Sequence, residues 1–166
     1  MSKIENSQGK ILKNVFNLFS NATIALSLLL LKEMCISVEF SFVVKDDVLY
    51  IYYTWITHTS DGELSNSTRV ATADITREDW PATIVDRGVA SWRTTAGNDS
   101  YDVVFCEDLQ KFISLSTCKR FSENSMLAVH ESEDGLRFKK INEIKVNTSY
   151  MCHNCGISGD YHHHIK

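Results

Sequence analysis

Helical spacing dominates the start of the chain, and strand spacing takes over from residue 38. Ile11, Leu12, Val15, Phe16, Leu18 and Phe19 recur three and four residues apart, as on one face of a helix, and an apolar run over 22–31 follows, closed by Lys32 and Glu33. Beyond it, residues 38–44 lead through Lys45, Asp46 and Asp47 into a β-branched and aromatic run over 48–55, the pattern of a hairpin. A phrase then recurs three times, over 68–80, 101–112 and 125–138. Each copy is an apolar-rich run, an acidic turn and an aromatic a few residues on: Asp74 before Trp80, Asp108 before Phe112, Asp134 before Phe138. Asp starts a tight turn because its carboxylate accepts hydrogen bonds from backbone N–H groups two residues on. The aromatic is then expected to pack back over the hairpin, with second strands near 82–85, 113–115 and 141–144.

Repetition at this spacing points to a sheet-repeat architecture, chiefly a β-propeller. The expected fold is mainly β: about three propeller blades of antiparallel sheet over 38–166, behind an N-terminal helical or signal-like segment over 1–37. No linker separates the two. The repeat makes Asp74, Asp108 and Asp134 architectural, and Glu107 and Glu133, which share those turns, inherit that reading. Trp80 occupies a repeated core position.

Composition narrows the function classes. A chain of 166 residues suffices for one ordinary domain with a real core, and 43% hydrophobic against 23% charged residues is a globular balance. A net charge of −4, with no run of Lys or Arg, gives no electrostatic footprint for nucleic acid. Five cysteines cannot all pair within one chain; Cys106 and Cys118 flank one hairpin, and the set reads as small buried hydrophobes. Lys3, Lys10 and Lys13 before the apolar run outline an export signal, which would place the protein in the periplasm or outside the cell. Read instead as a helix packed beside the sheets, the same segment leaves it in the cytoplasm. About ten apolar residues are too few to span a bilayer, so no membrane span is expected.

With these residues in view, the chain resembles the five-bladed β-propeller glycoside hydrolases, the superfamily of families 43 and 32. The hairpin over 39–54, with Glu39 at the strand start and a Tyr-rich second strand, looks like their blade opening. The phrases at 69–80 and 132–138 are similar to their second hairpins. The tail, with His153, Asn154, Ser158, Gly159, Asp160, His164 and Ile165, looks like a motif of bacterial members. The resemblance covers residues 38–166. It implies hydrolysis or binding of a poly- or oligosaccharide by two opposed carboxyl groups, one an acid and the other a base or nucleophile. On this reading Glu39 is the acid and Asp160 the second carboxylate or a sugar ligand. His153 and Asn154 contact sugar hydroxyls, and Trp55 and Trp92 offer stacking platforms. The resemblance implies no cofactor. Five blades take far more than 166 residues, so the chain is expected to be a piece of a propeller, inactive alone, whose open sheet edges invite a homodimer.

Two rival readings come from other classes. The same surfaces suit a non-catalytic carbohydrate-binding module. Alternatively, Cys152, Cys155, His162 and His164 supply two thiolates and two imidazoles for a zinc-stabilised interaction module.

Overall fold

The computed structural model describes residues 40–58, 61, 64–91, 99–119, 122–145 and 155–166. The helix and export-signal expectations for 1–37 therefore lie outside the described residues, as do Glu39, Trp92, Cys152, His153 and Asn154. The described residues are strands and turns: β1 (Phe40–Lys45), β2 (Val48–His58), β3 (Leu64–Asp74), β4 (Val85–Ser91), β5 (Asp99–Cys106), β6 (Lys111–Cys118), β7 (Met126–Ser132), β8 (Lys139–Lys145) and β9 (His164–Ile165), with one 3-10 turn, Trp80–Thr83, before β4. They form two sheets. One is the antiparallel meander β1-β2-β3-β4; the other is the antiparallel meander β5-β6-β7-β8, to which β9 adds in parallel beside β5.

The β1–β2 connection shows how sequence sets register. Asp46 and Asp47 both take positive φ, 50° and 61°. Two left-handed central residues make the type I′ turn, whose twist matches that of the flanking strands, and Asp tolerates that conformation without glycine. The turn pairs Lys45 with Val48, and everything beyond follows at period two, out to Phe40 opposite Tyr53. β2 reads as a near-continuous apolar and aromatic run because both its faces are buried: Leu49, Ile51 and Tyr53 on one, Tyr52 on the other.

Paired residues share a face, so the register identifies the side on which the sheets meet. Val43, Tyr52, Val70 and Ala90 from the first sheet join Val103, Phe105 and Phe112 from the second in one buried cluster, with Tyr50, Tyr101, Leu136 and Phe138 packed against it. Aromatic pairs tie it together, Tyr50 on Phe112 at 4.9 Å and Tyr52 edge-on to Phe138 at 5.7 Å. The loop after β7 enters the same interface. Gly135 accepts the Tyr52 hydroxyl on its carbonyl at 2.9 Å, and the Phe138 N–H donates to the Ala90 carbonyl at 2.8 Å.

The repeated phrase proves to count hairpins rather than sheets. Its first and third copies are the β3–β4 and β7–β8 connections, the last hairpins of the two meanders, whereas its second copy is β5–β6, a first hairpin. Where about three blades are expected, the described residues form two sheets, one of four strands and one of five. The aromatics behave as expected: Trp80 and Phe112 are buried, and Phe138 packs on the core. Cys106 and Cys118 are free and buried. Cys106 pairs with Lys111 at one end of the β5–β6 hairpin and Cys118 lies at the other, too far apart for a disulfide.

Candidate functional site

The first strands of the two sheets, β1 and β5, run side by side in the same direction. The Ser41 hydroxyl lies against the backbone of Val103, and Val44 and Phe105 further along are joined through the C-terminal tail. The tail fills the gap between the two inner edges. Val44 N–H donates to the His162 carbonyl at 3.2 Å, Phe105 N–H to the His163 carbonyl at 3.0 Å, and Glu107 N–H to the Ile165 carbonyl at 2.8 Å. Backbone donors that an open edge would leave unpaired are thus satisfied by residues 162–165. Homodimer formation is not needed to cover this pair of edges.

Asp160 organises the tail. Its Oδ1 accepts the N–H groups of His162 and His164, both at 2.9 Å, and its own N–H donates to the His164 carbonyl at 2.9 Å. Partial burial would raise its pKa, but these N–H bonds and the nearby His164 and His162 outweigh it and hold the carboxyl below its usual range. A carboxylate kept ionised in this way does not serve as a general acid. His164 is fixed beside it, with Nδ1 2.7 Å from Glu107 Oε1 and Nε2 2.6 Å from the Val44 carbonyl oxygen. His163 sits at φ 65°, its Nε2 3.0 Å from the Ile157 carbonyl oxygen.

Asp102, in the first half of β5, links three segments. Its Oδ1 accepts the Ser41 hydroxyl at 2.7 Å and the Val103 N–H at 3.0 Å, while Oδ2 accepts the Ile157 N–H at 2.6 Å. Asp102 therefore joins β1, β5 and the start of the tail at one point. Gly156 allows the tail to approach: a Cβ there would lie 3.4 Å from Asp102 Oδ2. Asp102 carries no local signal in the sequence, because β5 also holds Asp99, Ser100 and Tyr101 and a carboxylate there does not stand out.

The register sorts the candidate residues by sheet end. Asp102 and Ser41 lie where β1 and β5 begin. Trp55 belongs to the same end, because Phe40 is opposite Tyr53 and β2 runs on past it. There the Arg69 guanidinium stacks over the Trp55 ring, 5.1 Å from its centroid, while bonding Asp86, which also accepts the Tyr53 hydroxyl at 3.2 Å. One face of the expected platform is thus occupied by a cation. Of the candidates outside the described residues, Glu39 precedes Phe40 in the chain, Trp92 follows Ser91, and Asn154 precedes Cys155. Ser91 is opposite Thr68, at the end of the first sheet that carries Trp55.

Asp160 belongs to the other end. It is bonded among residues that flank Val44 and Glu107, and Val44 lies four residues, roughly 13 Å, along β1 from Phe40. Opposed glycosidase carboxyl groups stand about 5 to 10 Å apart. Asp160 thus lies toward the Val44 end of β1, whereas Asp102 and Asp86 are described carboxylates toward its Phe40 end.

The zinc arrangement meets a similar obstacle. Cys155 adjoins Gly156 at the Asp102 end, whereas His164 is held at the far end by Glu107 and Val44. Among the described residues, no group of three or more His, Cys, Asp or Glu side chains is placed to hold a metal ion. Among them, too, no helix is long and apolar enough to cross a membrane. Set against known families, curated proteins and solved structures, the chain matches no family model, no curated protein and no solved structure.

Proposed function

We propose that the chain is a carbohydrate-active module of the propeller glycoside hydrolase kind, engaging a poly- or oligosaccharide at the sheet end where β1 and β5 begin. The observation that carries this reading is the side-by-side, same-direction placement of the first strands of two successive four-stranded meanders, as inner strands of neighbouring blades would lie. Trp55 and Asp102 add support by lying at that end, the former beside a cation and the latter joining three segments.

In this reading Glu39 supplies the acid, Asp102 is the second carboxylate, fixed by Ser41 and the tail, and Trp55 and Trp92 meet sugar faces. Hydrolysis requires both carboxyl groups to face one scissile bond; binding requires only the platform and the polar rim. Retention on immobilised polysaccharides, tested across a panel, is expected and should fall at least tenfold in Trp55→Ala. If aryl-glycosides are also turned over and Glu39→Gln abolishes turnover, the module is an enzyme. Binding without turnover identifies the non-catalytic form, and no retention on any polysaccharide would refute the proposal.

A further inference from the structure

The interface between the sheets contains polar groups that its apolar surroundings do not explain. Ser114 is 0% exposed, Ser116 4% and His130 6%. Ser114 Oγ, Ser116 Oγ and His130 Nδ1 are buried without a hydrogen-bond partner among the described residues. The three belong together. Ser114 lies directly opposite His130 across β6 and β7, and Ser116 follows two residues along β6 on the same face. That face is the one that carries Val103, Phe105 and Phe112 into the core. Beside Ser116 lie the Cys118 thiol, a weak partner, and Tyr101, directly opposite on β5.

Buried hydroxyl and imidazole groups are rarely left unbonded, since each orphan loses its bonds to water without replacement. Cross-strand neighbours stand roughly 5 Å apart, and two residues along a strand span about 6.7 Å. A single molecule accepting and donating at about 2.8 Å bridges such gaps. We propose that the two sheets enclose an internal hydration site in which ordered water bonds Ser114 Oγ, Ser116 Oγ and His130 Nδ1. An internal water makes about three hydrogen bonds, which is the number of partners present.

Two measurements on the full chain test this. A crystal structure at about 1.8 Å or better should show water within hydrogen-bond distance of at least two of the three atoms. Continuous apolar packing there, with the hydroxyls turned to backbone carbonyls, would overturn the proposal. Thermal unfolding of Ser114→Ala provides the second. Loss of a hydrated hydroxyl should lower Tm by about 2–5 °C, whereas removal of a dry, orphaned hydroxyl would raise it and would also overturn the proposal.

Discussion

His130 is the residue whose chemistry is most altered by its place in the fold. Burial pushes its pKa down from 6.5 to about 4, and the nearby Lys140 adds to that. The folded state therefore keeps the imidazole neutral at pH values where the unfolded chain protonates it. Stability owed to this group is complete above about pH 6.5 and is lost as pH falls toward 4, by up to about 3 kcal/mol. Denaturant titrations between pH 7 and 5 should show this decline, and His130→Gln should flatten it. The carboxyls of Asp86, Asp134 and Asp160, held below their usual range, contribute their own losses only at lower pH. Gly135 is constrained differently. It takes φ 71°, and a Cβ there would stand 2.9 Å from both Phe112 Cζ and Tyr50 Cε1, in the buried aromatic cluster. Gly135→Ala is expected to destabilise by about 2–4 kcal/mol, from the left-handed backbone and from overpacking together, as read from chemical denaturation.

Among elements, the three Asp turns share a sequence pattern but not a mechanism. Asp134 Oδ1 accepts the Ser132 hydroxyl at 2.9 Å and the N–H groups of Leu136 and Arg137 at 2.7 and 3.1 Å. Asp74 does the same more simply, accepting the N–H and hydroxyl of Thr76. Asp108 is exposed in a turn closed instead by Gln110, which has positive φ and donates from Nε2 to the Glu107 carbonyl. Asp134→Ala should therefore cost about 1–2 kcal/mol, while Asp108→Ala should stay within about 0.5 kcal/mol of the parent in the same unfolding assay. Hairpins were legible in the sequence because period-two patterning and turn residues are local signals; the β1–β2 turn at Asp46 and Asp47 lies where the pattern placed it. Grouping into sheets was not legible, since hairpin phrases look alike whether they open or close a meander. The same limit explains the site. Trp55 could be singled out from its strand, but the partnership of Asp102 with Ser41 and Ile157 spans 61 and 55 residues and leaves no local trace. The bonds of Asp160 to the N–H groups of His162 and His164 were equally illegible, since a Gly-Asp turn in a His-rich tail reads alike whatever it holds.

For the whole molecule, the arrangement of the two sheets separates two ends with different work. At the far end the tail satisfies the inner edges of β1 and β5 through Asp160, His164 and the His163 carbonyl, while the His163 ring turns back toward Asp102, its Nδ1 3.8 Å from Asp102 Oδ1 and its Nε2 3.0 Å from the Ile157 carbonyl oxygen. At the near end Asp102 ties β1, β5 and the tail together beside the strand starts, and Trp55 lies at the same end of the first sheet, on the face opposite to the one Ser41 shares with Tyr52. β8, the outer edge of the second sheet, is exposed along its length and carries Lys139, Lys140 and Lys145, charges that discourage edge-to-edge association. The functional account rests on the near end. The most direct test is a 15N-HSQC titration of the full chain with an oligosaccharide from the polysaccharide that retains it best. The account predicts shifts concentrated at Ser41, the Trp55 indole, Asp102 and Ile157, with Phe105, Glu107 and Ile165 unmoved. Shifts confined to residues 160–165 and Glu107, or none at saturating ligand, would contradict it.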